Sequence, residues 1–209
     1  MPDFELEKTY NGLIAGVDEA GRGPWVGHVV AGAVVFLKTP IHPSLEKHLN
    51  DSKKLSAKRR QELYALMKDE AEKKNLIYGV GLASAKEIDA LNILQATFLA
   101  MKRAVANLEI KPDLALIDGN RTPKEFVCPN RCVVQGDSKS YSIAGASVVA
   151  KVYRDNLMKE MALKYPHYGF EKNAGYGTKE HIEALKKFGI CPEHRKTYKP
   201  VMAVLCAKK

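Results

Sequence analysis

The stretch Gly16-Val17-Asp18-Glu19-Ala20-Gly21-Arg22-Gly23-Pro24-Trp25-Val26-Gly27 decides how the rest of the chain is read. The apolar run Leu13 to Val17 leads into it and reads as a buried strand. Two adjacent carboxylates, Asp18 and Glu19, stand where that strand is expected to end. Gly16, Gly21, Gly23 and Gly27 allow turns and close backbone approaches that a Cβ would block. Arg22, set among them, is a fixed cation whose planar fork of donors suits phosphate. The β-branched run Val29 to Phe36 then reads as a returning second strand. Carboxylates able to hold a metal thus lie beside a loop able to hold a phosphodiester. That combination is what half of a metal-dependent nuclease site would require.

The same pattern recurs further along. Leu114-Ala115-Leu116-Ile117 is a short apolar strand that runs into Asp118-Gly119-Asn120-Arg121. Cys132-Val133-Val134 reads as another strand, followed by Gln135-Gly136-Asp137-Ser138-Lys139-Ser140. Taken singly, Asp118 also reads as a turn residue and Asp137 as the N-cap of the next helix. Taken with Asp18, they point to one acidic cluster at one sheet edge. The helix starting near Tyr141 is rich in small residues (Ala144, Gly145, Ala146, Ser147, Ala150), which predicts close packing and burial. Lys151, Arg154, Asp155 and Lys159 follow on it, with Asp155 read as a salt-bridge residue in preference to an outer member of the acidic site.

Between these motifs the chain spells ordinary scaffold. Ser56 is a candidate N-cap for a helix carrying Leu63, Leu66 and Met67 at helical spacing. Lys58, Arg59 and Arg60 in its first turn read as a solvated face, whereas Ser52 and Lys53, just upstream, are better placed to donate to phosphate. Ile77 to Leu82 reads as a strand. Ser84-Ala85-Lys86-Glu87 is a capping box that opens one amphipathic helix through Ile88, Leu91, Leu94, Phe98, Met101 and Val105. Tyr165 to Thr178 is aromatic, glycine-rich and basic. It reads as a nucleic-acid-binding loop or, alternatively, as a loop of packed tyrosines. Thr178 caps a further helix with Ala184, Leu185 and Phe188 inward and Gly189 as its stop.

Composition bounds the classes. The chain has 209 residues, 45% of them hydrophobic, and a formal charge of +9. The basic excess favours an anionic partner such as nucleic acid. No apolar run approaches the roughly 20 residues of a membrane helix. The N-terminus lacks the regions of a signal peptide, so a cytoplasmic location is expected. Cys128, Cys132, Cys191 and Cys206 match structural zinc spacings poorly and read as free thiols.

The motifs Asp18-Glu19-Ala20-Gly21-Arg22-Gly23, Asp51-Ser52-Lys53-Lys54-Leu55, Asp118-Gly119-Asn120-Arg121, Gly136-Asp137-Ser138-Lys139, Ala146-Ser147 through Asp155, Gly175-Tyr176-Gly177-Thr178 with His181, and His194-Arg195 occur in order over most of the chain. In this the sequence resembles the type 2 ribonuclease H family, in its bacterial ribonuclease HII branch. The resemblance implies an α/β ribonuclease H-like fold, a mixed central sheet flanked by helices with a small C-terminal helical segment. It implies one domain over residues 1–209, with a catalytic core at roughly 1–164 and a substrate-contacting segment at 165–209. Asp18, Glu19, Asp118 and Asp137 are then the catalytic residues and the ligands of a divalent metal, Mg²⁺ or Mn²⁺. Gly21, Arg22 and Gly23 match the element that contacts a ribonucleotide 2′-hydroxyl, largely through backbone. Tyr176 matches the tyrosine that stacks on the sugar 3′ of the cut, and Ser52, Lys53 and Lys139 are further substrate contacts. The implied partners are RNA·DNA hybrids and ribonucleotide-containing duplex DNA, cut by a monomer to leave 5′-phosphate and 3′-hydroxyl ends. A DNA-directed nuclease and a non-catalytic binding module of the same superfold are the alternatives. Trp25-Val26 and His28 depart from the family's usual Leu-Ala and Pro, at positions flanking the turn.

Overall fold

The computed structural model describes residues 2–49 and 55–207. In chain order the elements are α1 (Glu5–Lys8), β1 (Ile14–Ala20), β2 (Val29–Phe36), α2 (Pro43–His48), α3 (Ala57–Glu72), β3 (Leu76–Ala83), α4 (Ala85–Leu91) and α5 (Ile93–Ala106). They continue with β4 (Leu114–Asp118), β5 (Asn130–Val133), α6 (Tyr141–Lys164), α7 (Phe170–Asn173), α8 (Lys179–Phe188) and α9 (Lys199–Ala207). The strands form one mixed sheet in the order β3-β2-β1-β4-β5. β1 pairs antiparallel with β2 and parallel with β4, and β4 pairs parallel with β5. Among the described residues, no helix is long and apolar enough to cross a membrane.

The sheet is covered on both faces. Ala15, Val17, Ala31, Ala33 and Val35 meet Ala96, Ala100, Met101 and Ala104 of α5 on one side. On the other, Val34 and Leu76 meet Leu63 and Met67 of α3 and Val148, Val149 and Val152 of α6. α6 sits unusually close because two strand positions lack side chains. A Cβ on Gly16 would lie 2.0 Å from the Ser142 carbonyl carbon, and one on Gly32 would lie 2.4 Å from the Ala146 oxygen. The small-residue helix predicted from Tyr141 onward is therefore the central buried helix. Its N-cap is Ser140, which accepts from Ile143 N, so Asp137 is not that cap.

Two local expectations are corrected. The single amphipathic helix after the capping box is two helices. Asn92, at φ 69°, breaks the chain after α4, and its side chain accepts from Leu94 N and Gln95 N to start α5. A residue in the left-handed region cannot continue an α-helix. Phe188, expected inward, is exposed and stacks on His167 at 4.6 Å. The Ser84–Glu87 capping box and the caps at Ser56 and Thr178 all form.

A third apolar cluster joins the C-terminal segment to the body. Met158 and Met161 of α6 pack with Val26, Tyr168, Phe170, Leu185 and Cys191. Tyr168 and Phe170 are stacked at 5.2 Å and buried, so this part of the aromatic loop is packing. Tyr176, in contrast, is exposed.

Candidate active site

β1 does not stop before its carboxylates. It runs through Asp18 and Glu19, which pair with Gly32 and Ala31 of β2. Both acids are thus held on a ladder rather than on a loop. Asp118 is the last residue of β4, one step beyond the Val17–Ile117 pair of the parallel β1–β4 register. Parallel strands in this register send equivalent side chains to the same face, so Asp18 and Asp118 are neighbours. Asp18 is buried, with 3% of its surface exposed. Its carboxyl is pushed well above the usual carboxylate range, first by burial and then by the charges of Glu19 and Asp118. Hydrogen bonds from Ser147 of α6 and from Glu19 N act the other way.

The remaining acids are tied in by shorter links. Glu19 Oε1 lies 3.1 Å from Arg22 Nη1. Asp118 Oδ1 accepts from Gly136 N at 2.7 Å, which brings the Gly136–Ser138 turn, and with it buried Asp137, against the end of β4. Among the described residues, no three His, Cys, Asp or Glu side chains are gathered as a ready coordination shell. The acids are neighbours whose oxygens are engaged by Arg22, Gly136 and Ser147. The donor set nevertheless fits a hard divalent cation, which prefers carboxylate oxygens. Burial of mutually repelling carboxylates is relieved by cation binding.

Two hollows meet at Glu19. One, of about 320 Å³, is lined by Glu19, Gly21, Arg60, Lys151, Arg154 and Tyr176. The other, of about 410 Å³, is lined by Glu19, Arg22, Asp118, Asn120 and Arg121. Cations therefore flank the acids on both sides. Arg60, read from sequence as part of a solvated face, lines the first hollow and donates to the Leu55 carbonyl. Asp155 pairs with Lys151 at 2.5 Å, as a salt-bridge residue.

The substrate candidates separate into three groups. Gly21, Arg22, Gly23 and Tyr176 come together: a Cβ on Gly23 would stand 3.4 Å from Tyr176 Cε1. Lys139 is exposed, and its ammonium donates to Val134 O rather than to the acidic group. Ser52 and Lys53 lie outside the described residues.

Sequence reading named Arg154 and Arg195 within motifs but gave neither a role. Arg154 is buried directly under Gly21, where a Cβ would meet its Nε at 2.1 Å. Burial, and then the charge of Arg195, lowers its guanidinium to about 10. Arg195, part of a basic tail, is 0% exposed. The local pattern assigns neither a role, because their carbonyl acceptors, Ala174 O for Arg154 and the Gly21–Gly27 turn for Arg195, are distant in sequence. His28 Nδ1 is buried and has no partner among the described residues.

Strand-borne acids at the mouth of a mixed sheet, with cationic hollows to either side, place the molecule among nucleases built on the ribonuclease H-type sheet. Its relatives narrow that class. The profile of the family described as Ribonuclease HII matches residues 15–202. Ribonuclease HII of Jannaschia sp. (strain CCS1) is 51% identical over 205 residues, covering 98% of each chain. Ribonuclease HII of Rhodospirillum rubrum is 53% identical over 206 residues, covering 98% of this chain and 92% of that protein. The crystal structure of the ribonuclease H2 from Pyrococcus horikoshii OT3 superimposes with a TM-score of 0.74 at 28% identity, over 92% of this chain and 96% of that one. The chain belongs to the ribonuclease HII family, and it is a metal-dependent endoribonuclease.

Proposed function

We propose that this enzyme nicks the RNA strand of RNA·DNA hybrids and also cuts 5′ to single ribonucleotides embedded in duplex DNA, leaving 5′-phosphate and 3′-hydroxyl ends. The observation that carries this reading is the meeting of the Gly21–Gly23 turn with Tyr176 beside Asp18 and Asp118. A turn that approaches through backbone can meet a 2′-hydroxyl, the group that distinguishes RNA from DNA at one nucleotide. An exposed tyrosine beside it offers a face to the adjoining sugar.

Asp18, Glu19, Asp118 and Asp137 would hold two divalent cations, Mg²⁺ or Mn²⁺. Such a pair, when bound, supplies charge neutralisation at the phosphodiester, an activated water and stabilisation of the leaving oxygen. The chain's own groups bind and orient. Arg22 and Lys139 neutralise phosphate, with Ser52 and Lys53 as further donors. Ser147 fixes the Asp18 carboxylate, and residues 165–209 work with the core 1–164 as one substrate-holding unit.

The test is a duplex carrying one ribonucleotide beside its all-DNA twin, with Mg²⁺, Mn²⁺ or EDTA. Cleavage 5′ to the ribonucleotide, in metal only and not in the twin, is expected. Equal cutting of both duplexes contradicts the ribonucleotide-specific reading.

A further inference from the structure

His194 and Arg195 are consecutive, buried, and reach in two directions. Arg195 Nε donates to Gly27 O at 3.0 Å, Nη1 to Arg22 O at 2.9 Å and Pro24 O at 2.7 Å, and Nη2 to Gly21 O at 2.6 Å. Tyr198 Oη accepts from Nη1 at 3.0 Å and itself donates to Arg22 O at 2.6 Å. Among the described residues, all these acceptors are carbonyls or a phenol, with no carboxylate. A buried cation is thus satisfied almost wholly by the backbone of one turn.

That arrangement sets which way the peptide planes face. In a trans peptide the C=O and the following N–H point to opposite edges. With the Gly21 and Arg22 carbonyls turned to Arg195, the N–H groups of Arg22 and Gly23 face away from it. The Pro24–Trp25 peptide shows the consequence directly. Its carbonyl accepts from Arg195, and its N–H donates to Gly175 O at 2.8 Å, in the loop that carries Tyr176.

His194 reaches that loop by another route. Cys191 N donates to His194 Nδ1 at 2.9 Å, which leaves the ring proton on Nε2. His194 Nε2 then donates to His181 Nε2 at 3.1 Å, and His181 Nδ1 donates to Tyr176 O at 2.9 Å. Each tautomer is assigned by its neighbour, so the chain of bonds has one direction. The dipeptide is itself fixed to the turn by Arg195 N donating to Trp25 O at 2.8 Å. Asp89 of α4 accepts from Lys196 N and Thr197 N, which ties the next two residues to the core.

We propose that His194 and Arg195 are positioning residues that hold the Gly21–Gly27 turn and the Tyr176 loop in one fixed relation, so that the C-terminal segment sets substrate discrimination. This rests on the reading that the turn and Tyr176 meet the substrate. Neither residue touches substrate; both act through the backbone they hold.

Trp25, the only tryptophan, makes the brace visible without substrate. Its ring packs against Gly177, where a Cβ would lie 1.9 Å from it, and stands 5.5 Å from the His181 ring. Acrylamide quenching of Trp25 is measured in the full chain for wild type, Arg195→Lys and His181→Ala. The ratio of kcat/KM on the single-ribonucleotide duplex to that on a hybrid is measured for the same proteins and for Tyr176→Ala with and without His181→Ala. The ratio cancels any loss of folded enzyme. Both single variants should raise quenching and lower the ratio on the order of 10–100-fold, as expected when a reading group moves by about 1 Å. His181→Ala should change the ratio no further once Tyr176 is Ala. Wild-type quenching and ratio in Arg195→Lys, a wild-type ratio in His181→Ala, or an equal effect of His181→Ala in the Tyr176→Ala background overturns the proposal. If the wild type cuts the all-DNA twin as fast as the single-ribonucleotide duplex, the proposed substrate reading fails, and the quenching of Arg195→Lys alone decides the brace.

Discussion

Replacing Gly16 with alanine tests whether the site depends on how closely α6 lies on the sheet. The added Cβ would meet the Ser142 carbonyl carbon at 2.0 Å and Ile143 N at 2.1 Å, whereas ordinary contact begins at 3.4 Å. Both atoms are backbone, so no rotamer can swing aside. The helix must move by 3.4 minus 2.0, or 1.4 Å, to relieve the first contact. Overpacking of this kind costs about 1–3 kcal/mol, and a backbone clash belongs at the upper end. For a chain of this size that lowers Tm by roughly 6–12 °C. The same helix carries Ser147, which bonds Asp18 two residues along β1 from Gly16. A displacement of about 1 Å there costs on the order of 100-fold in rate. The assay is a circular dichroism melt together with cleavage of an RNA·DNA hybrid well below the new Tm. A melt within about 2 °C of wild type, with a rate within about threefold, would refute the reasoning, since neither overpacking nor displacement would then have occurred.

The other predictions follow from the buried charges. Asp18→Asn should abolish turnover yet raise the Tm of the metal-free protein, because it removes a buried carboxylate crowded by Glu19 and Asp118. Near-normal turnover would contradict the role in catalysis, and a lower Tm would contradict the crowding. Stability should also fall on mild acidification. Burial, and then His181, lowers the His194 imidazole from 6.5 to about 4. The unfolded chain therefore takes up the proton first, and stability present above pH 6.5 is lost as pH falls toward 4. Between pH 6.5 and 5 the His194 contribution amounts to about 2 kcal/mol, read as the difference between the urea-midpoint profiles of wild type and His194→Gln, because buried His181 and His28 add to the same slope and the raised Asp18 carboxyl opposes it. The Glu87 carboxyl, held at about 2 chiefly by Arg103, titrates below that window and does not confuse it. His194→Gln should lose less stability than wild type between pH 6.5 and 5, by that amount.

Much of this could be read from the chain because the deciding signals are local. An apolar run ending in a carboxylate marks β1 and β4, and Ser56, Ser84 and Thr178 cap helices as their neighbours demand. Asn92 was hidden because the apolar spacing continues across it, and only its backbone conformation separates α4 from α5. Glu7 was hidden for a different reason. It accepts from Ser140 Oγ and Ser142 N, more than 130 positions away, and so helps start α6 from the far end of the sequence. Arg195 was the hardest to see. His194-Arg195 stands out only as a motif in a basic tail, with no local sign of its role, because its acceptors belong to a turn near the other end of the chain. Local pattern reports what a residue is. It does not report which distant carbonyls will surround it.

The central claim is that acids from separate strands share cations at one sheet edge. Isothermal titration of Mn²⁺ into wild type and Asp118→Asn tests it most directly, without any substrate. Saturable binding that Asp118→Asn weakens at least about tenfold, a loss of about 1.4 kcal/mol, is predicted. Binding by Asp118→Asn indistinguishable from wild type would contradict the account.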